Sequence, residues 1–153
     1  MERTLLLAKP DAVQRGLVGR ILARFEEKGL KLVGLKVMRI TKELAEKHYA
    51  LHVDKPFYPG LVEYMTSAPI VAAAIEGPRA IEVSRKLMGA TFGWEAEPGT
   101  IRGDFGSSTA YNLVHGSDSA ESAEKELALF FTDAELVEYE RSLDPWLVSD
   151  DDE

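Results

Sequence analysis

The stretch Ile70-Val71-Ala72-Ala73-Ala74-Ile75 decides the fold, because every one of its residues is apolar. Such a run predicts a β-strand at the centre of a sheet, with both of its faces covered by other elements. Pro78 follows and is typical of a first helical turn, so we expect a helix from there through Met88, with Ile81 and Leu87 facing inward.

The chain before this strand predicts further elements from the period of its apolar residues. They are a strand over 4–8, a helix over 17–29, a strand over 33–40, and helices over 42–52 and 59–66. In the second strand, Val33, Leu35 and Val37 alternate with small or polar residues, which predicts one buried face.

The chain after the central strand predicts a loop, a strand and a helix. Residues 89–111 hold five glycines and one proline without a sustained period, as functional loops often do. Asn112–His115 predicts a fourth strand, and the pair Asp118 and Glu121 predicts a capping box that starts a helix to about Phe131. The order β-α-β-α-α-β-α-β-α predicts a ferredoxin-like split β-α-β sandwich of the α/β (α+β) class, in which a four-stranded antiparallel sheet carries helices on one face and extra C-terminal elements. Without a visible repeat or linker, residues 1–153 are expected to form one domain.

Composition limits the classes of function. The net charge is −8, and residues 117–153 carry 13 acidic and 2 basic groups, so this end has a charge of −11 and the rest of the chain +3. We interpret the acidic end as a solvated helix face with a frayed tail over 149–153. This distribution disfavours nucleic-acid binding but allows a cationic pocket for a small polyanion. The chain has 0 cysteines, which excludes thiolate metal sites, and its first apolar segment is too short for a membrane, so a soluble, cytoplasmic protein is expected.

His115 is one of only 3 histidines and ends an apolar run, immediately before Gly116. Imidazole changes charge near neutral pH and can offer a neutral nitrogen to an electrophile. Glu126, at the border of the next helix's apolar face, can bond one ring nitrogen and leave the other free. These residues predict a histidine nucleophile. Ser117 could bridge Glu126 or meet a transferred group, although a serine in a turn often only bonds the start of a helix.

Phosphate would have to be held by side chains, because the chain has neither a Gly-x-x-x-x-Gly-Lys-Ser/Thr loop nor Gly-x-Gly-x-x-Gly. Lys9, Arg85 and Arg102 lie beside predicted loops or helix ends and are the available cations. Two other sites are disfavoured. His48 and His52 have the spacing of a zinc pair but no third ligand, so we interpret them as helix-face residues. A serine hydrolase is also disfavoured, because there is no Gly-x-Ser-x-Gly motif.

The segment Asn112–Ala123 resembles the signature of the nucleoside diphosphate kinases, Asn-x-x-His-Gly-Ser-Asp-Ser-x-Glu-Ser-Ala, without a break. The resemblance extends to Lys9-Pro10-Asp11, His48-Tyr49, Lys55-Pro56-Phe57-Tyr58 and Pro98–Phe105, and so covers essentially the whole chain. It implies a kinase that moves the γ-phosphoryl group of a nucleoside triphosphate to His115 and then to a nucleoside diphosphate. Ping-pong kinetics and little base specificity are also implied.

The resemblance further implies roles for individual residues. The implied catalytic residues are His115, Lys9, Glu126 and Ser117. Lys9 would contact the transferring phosphate and the sugar 3′-hydroxyl, and Asn112 would bind the sugar hydroxyl. The implied phosphate ligands are Tyr49, Arg85, Thr91 and Arg102. The base would stack on Phe57, with Leu61 alongside.

A cofactor and an assembly are implied as well. Mg²⁺ would be held mainly by nucleotide phosphates and water, with Asp118 nearby. A homo-oligomer is implied, most often a hexamer in which the loop before Arg102 packs at subunit contacts, and otherwise a tetramer. The sequence departs from the family pattern at Phe92-Gly93-Trp94, Thr109 and Tyr111, which leaves loop conformation and affinity open.

Two functions from other classes compete with this one. A ferredoxin-like nucleic-acid-binding module would need exposed aromatic residues on its strands and a basic surface, whereas these strands are aliphatic and the chain is acidic. A regulatory oligomer that binds nucleotides without turnover would differ only in an activity measurement.

Overall fold

The computed structural model describes residues 1–152, so Glu153, the last residue of the predicted domain and tail, lies outside it. The sheet consists of β1 (Glu2–Ala8), β2 (Lys31–Met38), β3 (Ile70–Gly77) and β4 (Val114–Gly116). The helices are α1 (Pro10–Gln14), α2 (Val18–Glu27), α3 (Lys42–His48), α4 (Tyr58–Thr66), α5 (Ala80–Met88), α6 (Ile101–Phe105) and α7 (Ala120–Phe130). Short 3₁₀ helices lie at Ala50–His52, Asp133–Glu135, Asp144–Trp146 and Asp150–Asp152. None of the helices in this part of the chain has the length and apolar character needed to cross a membrane.

The strands lie in the order β2-β3-β1-β4, and all neighbouring pairs are antiparallel. The two central strands, β1 and β3, pair along the whole of β1, from Glu2 opposite Gly77 to Ala8 opposite Val71. The edge strand β4 pairs with β1. This arrangement confirms the predicted ferredoxin-like fold with a four-stranded antiparallel sheet.

The sheet has an apolar core on each face. In β1, Leu6 enters the core that contains Phe25 of α2, whereas Leu7 enters the core that contains Phe130 of α7. Residues Ile70–Ile75 are all buried, which confirms β3 as a central strand covered on both sides. The expectation that helices cover one face is wrong. Successive residues of a strand point to opposite faces, and since both sets are apolar here, both faces must be covered.

The edge strand β2 also departs from its predicted pattern. Val33 is buried, but Leu35 and Val37 are 52% and 71% exposed. The cause is a bulge between Leu32 and Gly34, which leaves Val33 out of the pairing with β3 and changes the face on which the following residues lie. Two apolar side chains therefore project from an edge of the sheet.

Two local predictions about helix starts and loops were wrong. Helix α7 is capped by the hydroxyl of Ser119, which accepts from the Ser122 amide at 3.1 Å, and not by the predicted pair Asp118 and Glu121. The predicted loop over 89–111 contains α6, whose N-terminus is capped by Thr100. In both cases a hydroxyl in extended backbone satisfies an amide of the first helical turn.

The chain after α7 runs beside β2. The amide of Val137 donates to the carbonyl of Val33, the bulge residue, at 2.8 Å. Near the C-terminus, Asp152 forms an ion pair with Arg79 at 3.2 Å, so part of the tail predicted to fray has a defined contact. These contacts attach the extra C-terminal elements to the domain.

Candidate active site

Lys9 is held at the point where β1 ends and α1 begins. Its side chain is buried, and its ammonium group donates to Oδ1 of Asn112 at 2.8 Å. Burial and then the positive charge of Arg102 lower the pKa of Lys9 to about 8, while the carboxylate of Asp11 opposes them. A bound anion would favour the charged form of this lysine, so the position suits a phosphate.

His115 lies in β4, opposite Leu7 of β1. Its Nε2 is hydrogen-bonded to Oε1 of Glu126, which projects from α7. Burial alone would raise the pKa of Glu126, but the bond to His115, helped by His48 and Ser117, lowers it below its usual value. Glu126 is therefore a carboxylate that accepts the Nε2 proton, an arrangement in which a neutral His115 ring has its lone pair on Nδ1. Ser117 has a buried hydroxyl without a hydrogen bond of ordinary geometry.

His48 and Tyr49, at the C-terminal end of α3, lie near His115. The ring centroids of His48 and His115 are 4.8 Å apart. The ring nitrogens of His48 and the hydroxyl of Tyr49 are buried without hydrogen-bond partners, and such groups are costly unless a ligand or water satisfies them. Burial, and then the neighbouring His115, lower the pKa of His48 to about 3, so this ring is neutral. The sequence predicts Tyr49 as a ligand but His48 only as a helix-face residue.

The two predicted arginine ligands differ in their burial and in the number of hydrogen bonds that they make to the protein. Arg85 is exposed and donates to the carbonyl of Gly116 at 3.2 Å. Arg102 is buried, and its guanidinium donates at 3.1, 3.0 and 2.7 Å to the carbonyls of Gly89, Asn112 and Val114. Burial and then the charge of Arg85 lower the pKa of Arg102 to about 10. Arg85 is free to turn toward an anion, whereas Arg102 also holds its loop against β4.

Asn112 connects the remaining predicted ligands. Its side-chain amide donates to the carbonyl of Thr91 at 3.2 Å, while its Oδ1 accepts from Lys9. The side chain of Thr91 is exposed. Because Arg102 bonds both Asn112 and Val114, this group of residues is attached to the strand that carries His115.

A cleft of about 200 Å³ opens beside His115. Its walls include the predicted site residues Tyr49, Arg85, His115, Asp118 and Glu126. The cleft and the hydrogen-bonded group around Asn112 are both attached to the same short strand, β4.

The two predicted base-binding residues are not part of the lining of the cleft. Phe57 is 53% exposed, and its ring centroid is 5.5 Å from that of His52, which lines the cleft. Leu61 is partly buried and packs against the core that contains Phe130. The exposed ring of Phe57 is available to a ligand at the rim of the cleft.

The residues that depart from the family pattern lie between α5 and β4. Phe92 and Trp94 stack with their ring planes at 9° and their centroids 6.1 Å apart. Gly93 between them lies against the backbone, since a Cβ there would come within 2.1 Å of the Gly106 carbonyl oxygen. The loop therefore has a defined conformation that requires glycine at this position.

Comparison with known proteins gives the family of the chain. A family model described as nucleoside diphosphate kinase matches residues 2–136. The nucleoside diphosphate kinase of Thermomicrobium roseum is 56% identical over 148 residues, which cover 97% of this chain and 99% of that protein. The nucleoside diphosphate kinase of Trichormus variabilis is 58% identical over 147 residues, with 96% and 99% covered.

Two solved structures are also similar. One is a halophilic nucleoside diphosphate kinase from Halobacterium salinarum in complex with CDP, with a TM-score of 0.95, 53% identity, and 97% of this chain and 99% of that chain covered. The other is a nucleoside diphosphate kinase family protein from Babesia bovis, with a TM-score of 0.94, 48% identity, and 97% and 100% covered. The family match spans most of the chain, and the relatives are similar along nearly their entire length. The chain belongs to the nucleoside diphosphate kinase family and is a phosphotransferase that binds nucleotides.

Proposed function

We propose that this enzyme transfers the γ-phosphoryl group of a nucleoside triphosphate to Nδ1 of His115 and from there to a second nucleoside diphosphate, with ping-pong kinetics, in the cytoplasm. One observation carries the proposal. Glu126 occupies Nε2 of His115, so the proton is on that nitrogen and the lone pair is on the other. A neutral imidazole with a fixed tautomer is a nucleophile ready to attack phosphorus.

The two half-reactions balance without a net proton transfer. In the first, the Nδ1 lone pair attacks the γ-phosphorus, the bond to the bridging oxygen breaks, and the nucleoside diphosphate leaves with that electron pair. The ring gains positive charge, which the carboxylate of Glu126 stabilises. In the second, a terminal β-phosphate oxygen of the acceptor attacks phosphorus, the P–N bond breaks, and the lone pair returns to Nδ1.

Phosphate binding is assigned to the cations and donors around His115. The positive charges of Lys9 and Arg85 stabilise the transferring phosphoryl group. Arg102 donates to phosphate with the N–H groups that are not bonded to the three carbonyls. The unpartnered hydroxyl of Tyr49 would donate to a phosphate oxygen, which would satisfy it. Thr91, which lies in the loop between α5 and α6, would also bind a phosphate.

We propose that nucleotides are held without strong selection of the base. Asn112 and Lys9 would bond the sugar hydroxyls, which every nucleotide substrate shares. The exposed ring of Phe57, with Leu61 alongside, would stack on the face of the base, and all bases have such a face. The similar protein from Halobacterium salinarum is described in complex with CDP, which supports a nucleotide site on this fold.

The charged groups near His115 fit a magnesium ion that is bound mainly through the nucleotide. Glu126 is engaged with His115, which leaves Asp118 as an exposed carboxylate on the wall of the cleft. Mg²⁺ is commonly bound by substrate phosphates, water and only one or two carboxylates. When bound, the ion would neutralise charge on the phosphates, with Asp118 nearby through water.

A homo-oligomer is also part of the proposal, with a hexamer favoured over a tetramer. Exposed apolar side chains support it, namely Leu35 and Val37 on β2, and Phe92 and Trp94 in the loop before Arg102. Such clusters commonly mark protein–protein contacts. The mass from light scattering separates the monomer, tetramer and hexamer.

The decisive experiment is incubation with γ-labelled triphosphate, followed by an unlike diphosphate. Wild type should form a protein phosphate that is labile to acid and stable to alkali, as a phosphoramidate is, and should pass it to the diphosphate. His115→Ala should do neither. Substantial turnover by His115→Ala would contradict the mechanism, and binding without labelling of wild type would favour the regulatory oligomer.

A further inference from the structure

Leu113 has a backbone conformation that leucine rarely adopts. Its φ is +71°, although its side chain is fully buried in the core. The amide of Val114 donates to the carbonyl of Asn112 at 2.8 Å, so Leu113 is the central residue of a tight three-residue turn. Such turns with a positive φ are rare and strained. Strain of this kind persists only where surrounding contacts hold it, and it is concentrated at functional sites.

The contacts that hold Leu113 come from the start of the chain. Its amide donates to Oδ2 of Asp11 at 3.1 Å, and its carbonyl accepts from the amide of Lys9 at 2.8 Å. The second carboxylate oxygen of Asp11 accepts from the hydroxyl of Tyr64 on α4. Asp11 is thus fixed on one side by α4 and fixes the strained turn on the other.

The turn determines where Asn112 points. The side chain of Asn112 accepts from Lys9 at 2.8 Å and donates to the carbonyl of Thr91 at 3.2 Å. If Leu113 relaxed to a negative φ, the peptide before it would rotate and carry Asn112 away from Lys9. The two groups proposed to bind the sugar hydroxyl would then no longer be adjacent.

We propose that Asp11 is a positioning residue for phosphoryl transfer. Through its bond to the amide of Leu113, it keeps Asn112 against Lys9, where both meet the sugar hydroxyl of the nucleotide. The inference rests on the proposed roles of Lys9 and Asn112. The important group is the acceptor oxygen of Asp11, because the bond to the Leu113 amide requires an acceptor in this place.

A matched pair of variants isolates that oxygen. Asp11→Asn keeps an acceptor, whereas Asp11→Leu has nearly the same shape and none. The measurement is kcat/KM for a nucleoside diphosphate and for its 3′-deoxy analogue, at a temperature where circular dichroism shows each variant to be folded. We expect Asp11→Asn to keep the wild-type preference for the 3′-hydroxyl within about threefold. Asp11→Leu should reduce that preference by about 10- to 100-fold, the scale of a displaced positioning group.

Asn112→Ala serves as the reference, because it removes the proposed hydroxyl ligand directly. If it loses the preference and Asp11→Leu keeps it, the positioning role of Asp11 is wrong while the proposed function stands. If Asn112→Ala keeps the preference, the proposed role of Asn112 fails, and the role of Asp11 fails with it. Equal losses for both substrates in Asp11→Leu would indicate a general structural effect and also overturn the proposal. Asp11→Ala replaces Asp11→Leu if the latter does not fold.

Discussion

The ring of His48 packs edge-on against the ring of His115, with an interplanar angle of 80°, and neither nitrogen of His48 is hydrogen-bonded. His48 therefore offers His115 a packing surface and not a proton. His48→Phe preserves this surface, so we expect kcat to stay within about threefold of wild type. His48→Ala leaves His115 unsupported and should cost about tenfold. Initial rates at saturating nucleotide test both, and a loss in His48→Phe close to that of His115→Ala would identify His48 as a proton donor.

The same histidine should make the stability of the protein depend on pH. Its pKa is about 3 in the folded state, compared with about 6.5 in an unfolded chain. Between these values the unfolded state binds a proton that the folded state does not, so the free energy of unfolding falls as pH falls from about 6.5 toward 3. Above about pH 6.5 the ring is neutral in both states, so the stability that is lost at lower pH is fully present. Between about pH 7 and pH 5, wild type should lose about 2 kcal/mol more than His48→Phe in urea unfolding. Parallel losses in the two proteins would contradict the assignment.

Lys9 should give nucleotide binding a different pH dependence. With a pKa of about 8, it is charged below that value and becomes neutral above it. The KM for a diphosphate should therefore rise above about pH 8, approaching tenfold per pH unit. Lys9→Arg keeps its charge in this range, so its KM should stay flat whatever its absolute activity. A KM profile between about pH 6.5 and 9.5 tests this, and the same rise in Lys9→Arg would assign the titration to another group.

Arg102→Lys should destabilise the protein more than Arg85→Lys. The guanidinium of Arg102 donates to two buried carbonyls and one partly buried carbonyl, and an ammonium group at that position cannot reach all of them. Carbonyls left without donors should cost about 2 to 4 kcal/mol in urea unfolding. Arg85 is exposed and has one such bond, so its change to lysine should cost less than about 0.5 kcal/mol. Equal effects would mean that Arg102 is not the residue that holds the loop.

Phe57→Ala should weaken nucleotide binding without unfolding the protein. The ring is more than half exposed, so a role as a core residue, whose truncation costs about 3 to 5 kcal/mol, does not apply. A stacking platform contributes about 1 to 3 kcal/mol for any base. Specificity constants for adenine, guanine and pyrimidine diphosphates should fall by similar factors, while the melting temperature stays nearly constant. A loss confined to one base would exclude stacking as the mode of recognition.

Local patterns in the sequence predicted those elements whose structure depends only on their own residues. Ile70–Ile75 had to be a central strand, because an apolar run of that length needs cover on both faces. The bulge at Val33 was not visible, because it arises from the pairing of β2 with β3. Ser119 and Asp118 are both suitable caps, and only the path of the chain after β4 decides between them.

Recognisable motifs predicted the candidate site residues, some of which the structure brings together. The bond between His115 and Glu126 follows from a short separation along the chain and the geometry of α7. The approach of His48 to His115 joins α3 to β4, and the bond between Asp11 and Leu113 joins residues 102 positions apart. Contacts of this kind depend on the packing of whole elements and leave no local signal.

The pairing of β1 with β4 has a consequence for how activity is lost on heating. Lys9 follows Ala8, which pairs with Val114, and His115 lies opposite Leu7, so strand register determines the separation of the amine and the imidazole. A slip of one residue would turn His115 to the other face of the sheet. β1 is a central strand, and the edge strand β4 is also held by Arg102 at the carbonyl of Val114 and by the bond between His115 and Glu126, so this pair of groups should not separate by local fraying. Inactivation should coincide with cooperative unfolding, and the unfolding rate of the sheet should set the half-life of the enzyme on heating.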